Sequence, residues 1–105
     1  MSQQEIERLQ QIESSLSQTI SQKQGYQQYL YDIDTALGEL DNRKDAYQIV
    51  GTIMVKKSSD DIRSDLEERK NIYSKRLEAL KRQEKTLREE AQKLQDSALG
   101  SLQQD

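Results

Sequence analysis

The side chains able to do chemistry in this 105-residue chain are carboxylates, amines, guanidiniums and five tyrosines; cysteine and histidine are absent. That removes thiol nucleophiles, disulfides, the usual zinc sites and imidazole proton transfer together. Three chemistries remain to be weighed: carboxylate acid–base work, a lysine set against a phosphate, and stacking on tyrosine. The first needs a pocket that buries two acids and separates their proton affinities. A chain with 32% hydrophobic and 33% charged residues has no thick core in which to build one. The second needs a glycine-rich turn ahead of a helix, and "IVGTIMVKK" (49–57) has neither the spacing nor a following Ser or Thr in register. Tyr26, Tyr29 and Tyr31 cluster within six residues. Tyr26 falls on an apolar seam and the other two flank it, so packing accounts for them better than a ligand does. No enzyme activity, catalytic residue, metal or cofactor is expected.

Charge narrows the partners. Sixteen basic and nineteen acidic residues are interleaved at a net −3, a poor electrostatic footprint for nucleic acid. The opening "MSQQEIERLQQ" is polar and acidic, unlike a secretory signal, and no apolar run reaches membrane-spanning length. A soluble, cytoplasmic protein with no membrane partner is expected.

The elements that position these side chains are mostly helical. Proline is absent, glycine occurs four times, and Gln, Glu, Lys, Arg, Leu and Ala dominate. Stepping alternately by three and four, Leu9, Ile12, Leu16, Thr19, Lys23, Tyr26, Leu30, Ile33, Leu37, Leu40, Lys44 and Tyr47 form one heptad series. Leu66, Lys70, Tyr73, Leu77, Leu80, Glu84, Leu87, Ala91, Leu94 and Ala98 form a second. Asp65 with Arg69, Glu78 with Arg82, Glu84 with Arg88, and Glu89 with Lys93 lie four apart with the acid first, the favourable order on a helix surface. Ser58 and Ser59 are good N-caps, and Asp60 and Asp61 suit the first turn of the second helix. The expected helices span 3–44 and 60–99, each on the order of 60 Å long.

Between them lies "AYQIVGTIMVKK", residues 46–57, whose alternation of apolar and polar side chains reads as a short β-hairpin. Gly51 stands where a turn would need a positive φ, with Val50-Gly51 suited to the centre of a type II turn. The expected fold is therefore mainly α: one domain over 1–105, a long antiparallel two-helix coiled coil with a short β-hairpin at the helix–helix connection. A lone hairpin is marginal in water and leaves two strand edges open. Ile and Val are well placed there if the edges pair with strands of other chains.

A helix, then Tyr47, Val50, Gly51, Met54, Val55 and Lys56 in a single hairpin, then "DLEERKNIYSKRLEALKRQEKTLREE" with Arg82-Gln83-Glu84: this order resembles a β-class prefoldin subunit. Architecture matches over essentially the whole chain and sequence character over roughly residues 46–95. Thr52 after the glycine, and the many Gln and Tyr of the first helix, depart from the family's usual pattern. The resemblance implies a hexamer of two α-class and four β-class subunits, joined through their hairpins. Tyr47, Ile49, Val50, Gly51, Ile53, Met54 and Val55 would form that interface. It also implies ATP-independent capture of unfolded proteins at the coiled-coil tips and delivery to a group II chaperonin.

In an antiparallel coiled coil with the hairpin at one end, the chain ends form the tip. Ile6, Leu9 and Ile12 would meet Leu94, Ala98, Leu99 and Leu102 there, as the candidate client-binding residues. Ile6 and Leu99 fall off the heptad series, so they either broaden a fraying seam or offer apolar surface to a client. The alternative function is a purely structural or tethering coiled-coil oligomerisation module that binds no client. It explains the heptads equally well, but it does not explain the hairpin, whose open edges want a sheet.

Overall fold

The computed structural model describes residues 2–103, with side chains to residue 100. The elements run α1 (Gln3–Leu40), β1 (Asp45–Val50), β2 (Ile53–Ser58) and α2 (Ser59–Gln103), two long helices with an antiparallel two-stranded hairpin between them. The chain divides into two compact units, Met1–Gly25 with Leu77–Asp105, and Tyr26–Arg76.

The first unit starts from a reciprocal cap. The Glu5 N–H donates to Ser2 Oγ (3.1 Å) while the Ser2 N–H donates to Glu5 Oε1 (3.4 Å), so two backbone donors at the start of α1 are satisfied. From there the heptad residues do the packing. Ile12, Thr19, Leu77, Leu80 and Ala98 are buried, and Leu9, Leu16, Leu87, Ala91 and Leu94 are half-buried. Arg8 pairs with Glu90 and Lys23 with Glu84, so partners descend α2 as they ascend α1: the helices are antiparallel. Glu84 and Arg88, on one face of α2, lie 3.7 Å apart.

In the second unit, Ile33 and Leu40 are buried, with Tyr26, Leu30, Leu37, Leu66 and Tyr73 half-buried beside them. Lys70 keeps the heptad spacing but is exposed; its ammonium reaches Asp34 at 2.7 Å. The long stem lets the charge leave the seam for water and a carboxylate.

Helix α1 ends at Leu40, four residues short of the expected 44. Asn42 adopts φ 66°, a left-handed conformation that asparagine tolerates and helices commonly end on. The Arg43 Nε–H donates to the Glu39 carbonyl at 2.8 Å, satisfying an acceptor the helix leaves open. Lys44 and Tyr47, which continue the heptad spacing, are therefore not part of the seam; Tyr47 belongs to β1. The hairpin is longer than expected by one residue at each end, Asp45 to Ser58 rather than 46–57. Helix α2 begins at Ser59, not 60, and continues past 99 to Gln103. Ser58 is its cap: the Asp61 N–H donates to Ser58 Oγ at 3.2 Å. The Ser59 N–H donates to the Lys44 carbonyl at 2.9 Å, tying the base of the hairpin shut.

The turn also differs from the type II expectation. Val50 pairs with Ile53, so Gly51 and Thr52 are its two central residues, and Gly51 carries the positive φ of 62°. A positive φ at the first central position alone is the type II′ pattern, whose twist matches that of the strands it joins. The central pair is thus Gly51-Thr52, one residue later than the expected Val50-Gly51, and the turn is of the opposite hand.

Candidate subunit interface and chain-end surface

Register decides what the hairpin offers. Val50 and Ile53 flank the two-residue loop and form the hydrogen-bonded pair beside it; pairing then alternates down the ladder. Ile49 with Met54, and Tyr47 with Lys56, are consequently the non-hydrogen-bonded pairs. Their backbone N–H and C=O groups point outward from the two strand edges.

The same residues carry their side chains on the uncovered face. Ile49 is 72% exposed, Met54 66% and Tyr47 62%, whereas Ala46, Gln48, Val55 and Lys57 on the opposite face are half-buried. Val50 and Ile53, next to the turn, are exposed as well. Of the seven expected interface residues, the structure thus places six in the open on strand or turn, and Val55 on the half-covered face. At the base, Lys56 and Asp45 close an ion pair at 3.4 Å, bounding the apolar patch with charge. Open backbone groups and apolar side chains on one ribbon are what a second strand needs in order to bind.

The chain-end residues do not behave alike. Ile12 and Ala98 are buried in the seam, and Leu9 and Leu94 are half-buried. Ile6 at 38% and Leu99 at 56% are exposed. Leu102 lies outside the residues whose side chains are described. Among the tip residues whose side chains are described, the two off the heptad series, Ile6 and Leu99, are the two that are exposed.

The tyrosines pack together. Tyr26, Tyr29 and Tyr73 form a cluster with ring centroids 5.6–6.3 Å apart, and the Arg76 guanidinium lies 6.0 Å from the Tyr73 ring. Tyr31 is exposed and takes no part. Among the described residues no group of three or more acidic side chains could hold a metal ion, and no helix is long and apolar enough to cross a membrane.

One pair across the seam was not legible in the sequence. Lys23 Nζ donates to both oxygens of Glu84, at 3.2 and 3.3 Å, from one heptad series to the other. Lys23 read as one polar member of the first series, and Glu84 as the acid four residues before Arg88. A lysine on one seam and a glutamate on the other was the available signal.

Comparison with known proteins agrees with this geometry. A family model described as "Prefoldin subunit" matches residues 3–105. The prefoldin subunit beta of Archaeoglobus fulgidus is 37% identical over 87 residues, covering 80% of this chain and 75% of that one. That of Caldivirga maquilingensis is 32% identical over 95 residues, covering 88% and 78%. The crystal structure of the prefoldin beta subunit from Thermococcus strain KS-1 superposes with a TM-score of 0.86 at 31% identity, over 95% of this chain and 90% of that chain. With fold, hairpin and sequence in agreement, this chain belongs to the prefoldin subunit family, a family of chaperone subunits, as a beta-class member.

Proposed function

We propose that this chain is the β-class component of a cytoplasmic prefoldin hexamer, two α-class and four β-class subunits, that holds non-native polypeptides without nucleotide and passes them to a group II chaperonin. The observation that carries the reading is the hairpin. Its apolar side chains and its free backbone groups lie on one ribbon, a poor state for a lone chain and a good one for strand addition. A tethering coiled coil would need only a few polar residues to turn. The chain-end segments supply the client surface in this reading, with Ile6 and Leu99 as the apolar side chains offered. Each contributes little by itself, so capture rests on several copies acting at once.

The test is assembly with an α-class prefoldin subunit, followed by sedimentation. Ile49→Lys with Met54→Lys replaces two side chains that touch nothing else closely enough to be covered, so the helices are expected to persist by circular dichroism while the hetero-oligomer is lost. An intact oligomer in that double variant moves the interface off the hairpin and sinks the proposal.

A further inference from the structure

Lys23 and Glu84 occupy heptad positions in the first unit, and their side chains are only 22% and 18% exposed. Glu84 also lies 3.7 Å from Arg88, so its charge is countered from two directions. The pair sits in a seam otherwise made of leucine, isoleucine, alanine and the buried Thr19. On packing grounds alone it is a poor choice, because well-packed apolar residues commonly replace such pairs without loss of stability. A single charged or amide residue at a seam position does something else: it decides which helices pair.

We propose that Lys23 and Glu84 are a pairing key that selects α1 against α2 and rejects α1–α1 and α2–α2 pairing between copies. The proposal rests on the assembly reading only in that an oligomer crowds several identical pairs of seams together. Leucine seams do not discriminate among such partners. The charges do. A parallel, in-register pairing of α1 with another copy's α1 sets Lys23 against Lys23, and pairing α2 with α2 sets Glu84 against Glu84. Sliding the observed pairing by one heptad sets Lys23 against Leu77 or Ala91 and Glu84 against Leu16 or Leu30, with no counter-charge across the seam, an unfavourable burial. Pairing α1 with α2 so that positions 23 and 84 meet satisfies both, and the short hairpin makes the α2 of the same chain the nearest such partner.

The key can be re-cut so that it selects the wrong chain. Lys23→Glu leaves acids at both positions of one chain, and Glu84→Lys leaves lysines at both positions of another. Neither satisfies itself, but each satisfies the other by exchanging helices. The two full-length variants, one of them labelled with ¹⁵N, are unfolded, mixed and refolded, then treated with a carbodiimide. The reagent joins a lysine amine to an adjacent carboxylate as an amide and takes up the water as a urea. Mass spectrometry then reads whether the amide between positions 23 and 84 joins light to heavy chains.

The expected result is a mixed-isotope amide in a yield close to that of the within-chain amide of wild type, and several-fold above the mixed-isotope amide of labelled wild-type chains. Neither variant can form this amide within itself, so a yield several-fold below the wild-type one marks chance encounter and overturns the proposal. Absence of the mixed amide, or an equal amount from wild type, overturns the proposal. Adding Ile49→Lys and Met54→Lys to every chain separates the two readings. Failure of the assembly reading shows as unchanged sedimentation, while the position of the amide still reports how the helices pair.

Discussion

The hairpin and the chain-end unit spend similar residues to opposite ends. In the chain-end unit, Ile12, Leu77, Leu80 and Ala98 are closed off within the chain, because a period of three and four puts them all on facing helix stripes. In the hairpin, Tyr47, Ile49 and Met54 fall at period two, which puts them together on the uncovered face of the ribbon. Apolar content is the same kind of quantity in both places. What differs is whether the chain itself supplies the complementary surface. A helix stripe finds one in the other helix, and a two-stranded ribbon does not. The seam is therefore where stability is expected to reside, and the hairpin where association is.

The sharpest way to break that comparison is to charge the hairpin. Ile49→Lys with Met54→Lys should abolish the hetero-oligomer yet leave the thermal midpoint of the helices within the scatter of surface substitutions. Loss of helicity together with loss of assembly would mean that the hairpin is also a stability element. A second cut separates association from client holding. Removing residues 1–9 and 96–105 deletes Ile6, Leu9, Ala98, Leu99 and Leu102 and keeps the whole hairpin. Assembly should persist, and suppression of aggregation of a diluted, denatured protein should fall sharply without nucleotide. A trimmed complex of full size that protects as well as the intact one would place the client surface elsewhere.

On the stability side, Leu80→Ala removes a side chain that is 9% exposed in the seam of the chain-end unit. The expected loss is about 2–5 kcal/mol, read as a shifted urea midpoint, because the cavity it leaves adds to the lost burial. A loss under about 0.5 kcal/mol, the scale of a surface change, would contradict the packing of that seam.

How much of this was legible follows from which interactions are periodic. The seam from Leu9 to Leu40, and that from Leu66 to Ala98, were readable because a repeating spacing is visible without knowing the partner. The end of α1 was not. Lys44 and Tyr47 happen to continue the spacing, and what stops the helix is local: one asparagine at positive φ and one arginine turned back onto a carbonyl. The Ser2–Glu5 capping box has a sequence signature four residues long, and only the polar, acidic character of that stretch had been read. The Lys23–Glu84 pair joins residues 61 apart, so no scan along one helix finds it. Among the candidate client residues, departure from the heptad series identified Ile6 and Leu99 as the exposed ones, while nearness to the chain ends grouped them with Ile12 and Ala98, which are buried.

Two glycines sharpen the comparison at the smallest scale, because the same substitution should act with opposite sign. Gly51 takes φ 62° at the first central position of the turn, and although a Cβ there would meet nothing within 4 Å, the backbone conformation is unfavourable for an L side chain. Gly51→Ala should therefore cost about 1–2 kcal/mol of hairpin stability, seen as faster amide exchange at Val50 and Ile53. Gly25 lies inside α1, and a Cβ there also meets nothing within 4 Å, but its φ is not positive. No contact or conformation calls for glycine at that position, so Gly25→Ala should stabilise the chain by roughly 0.5–1 kcal/mol through helix propensity and lost freedom of the unfolded state. The measurement is the urea midpoint at constant slope. A destabilised Gly25→Ala chain would mean that α1 bends or is approached at that residue, and the helix would then owe its glycine to function, as the hairpin owes its own to the turn.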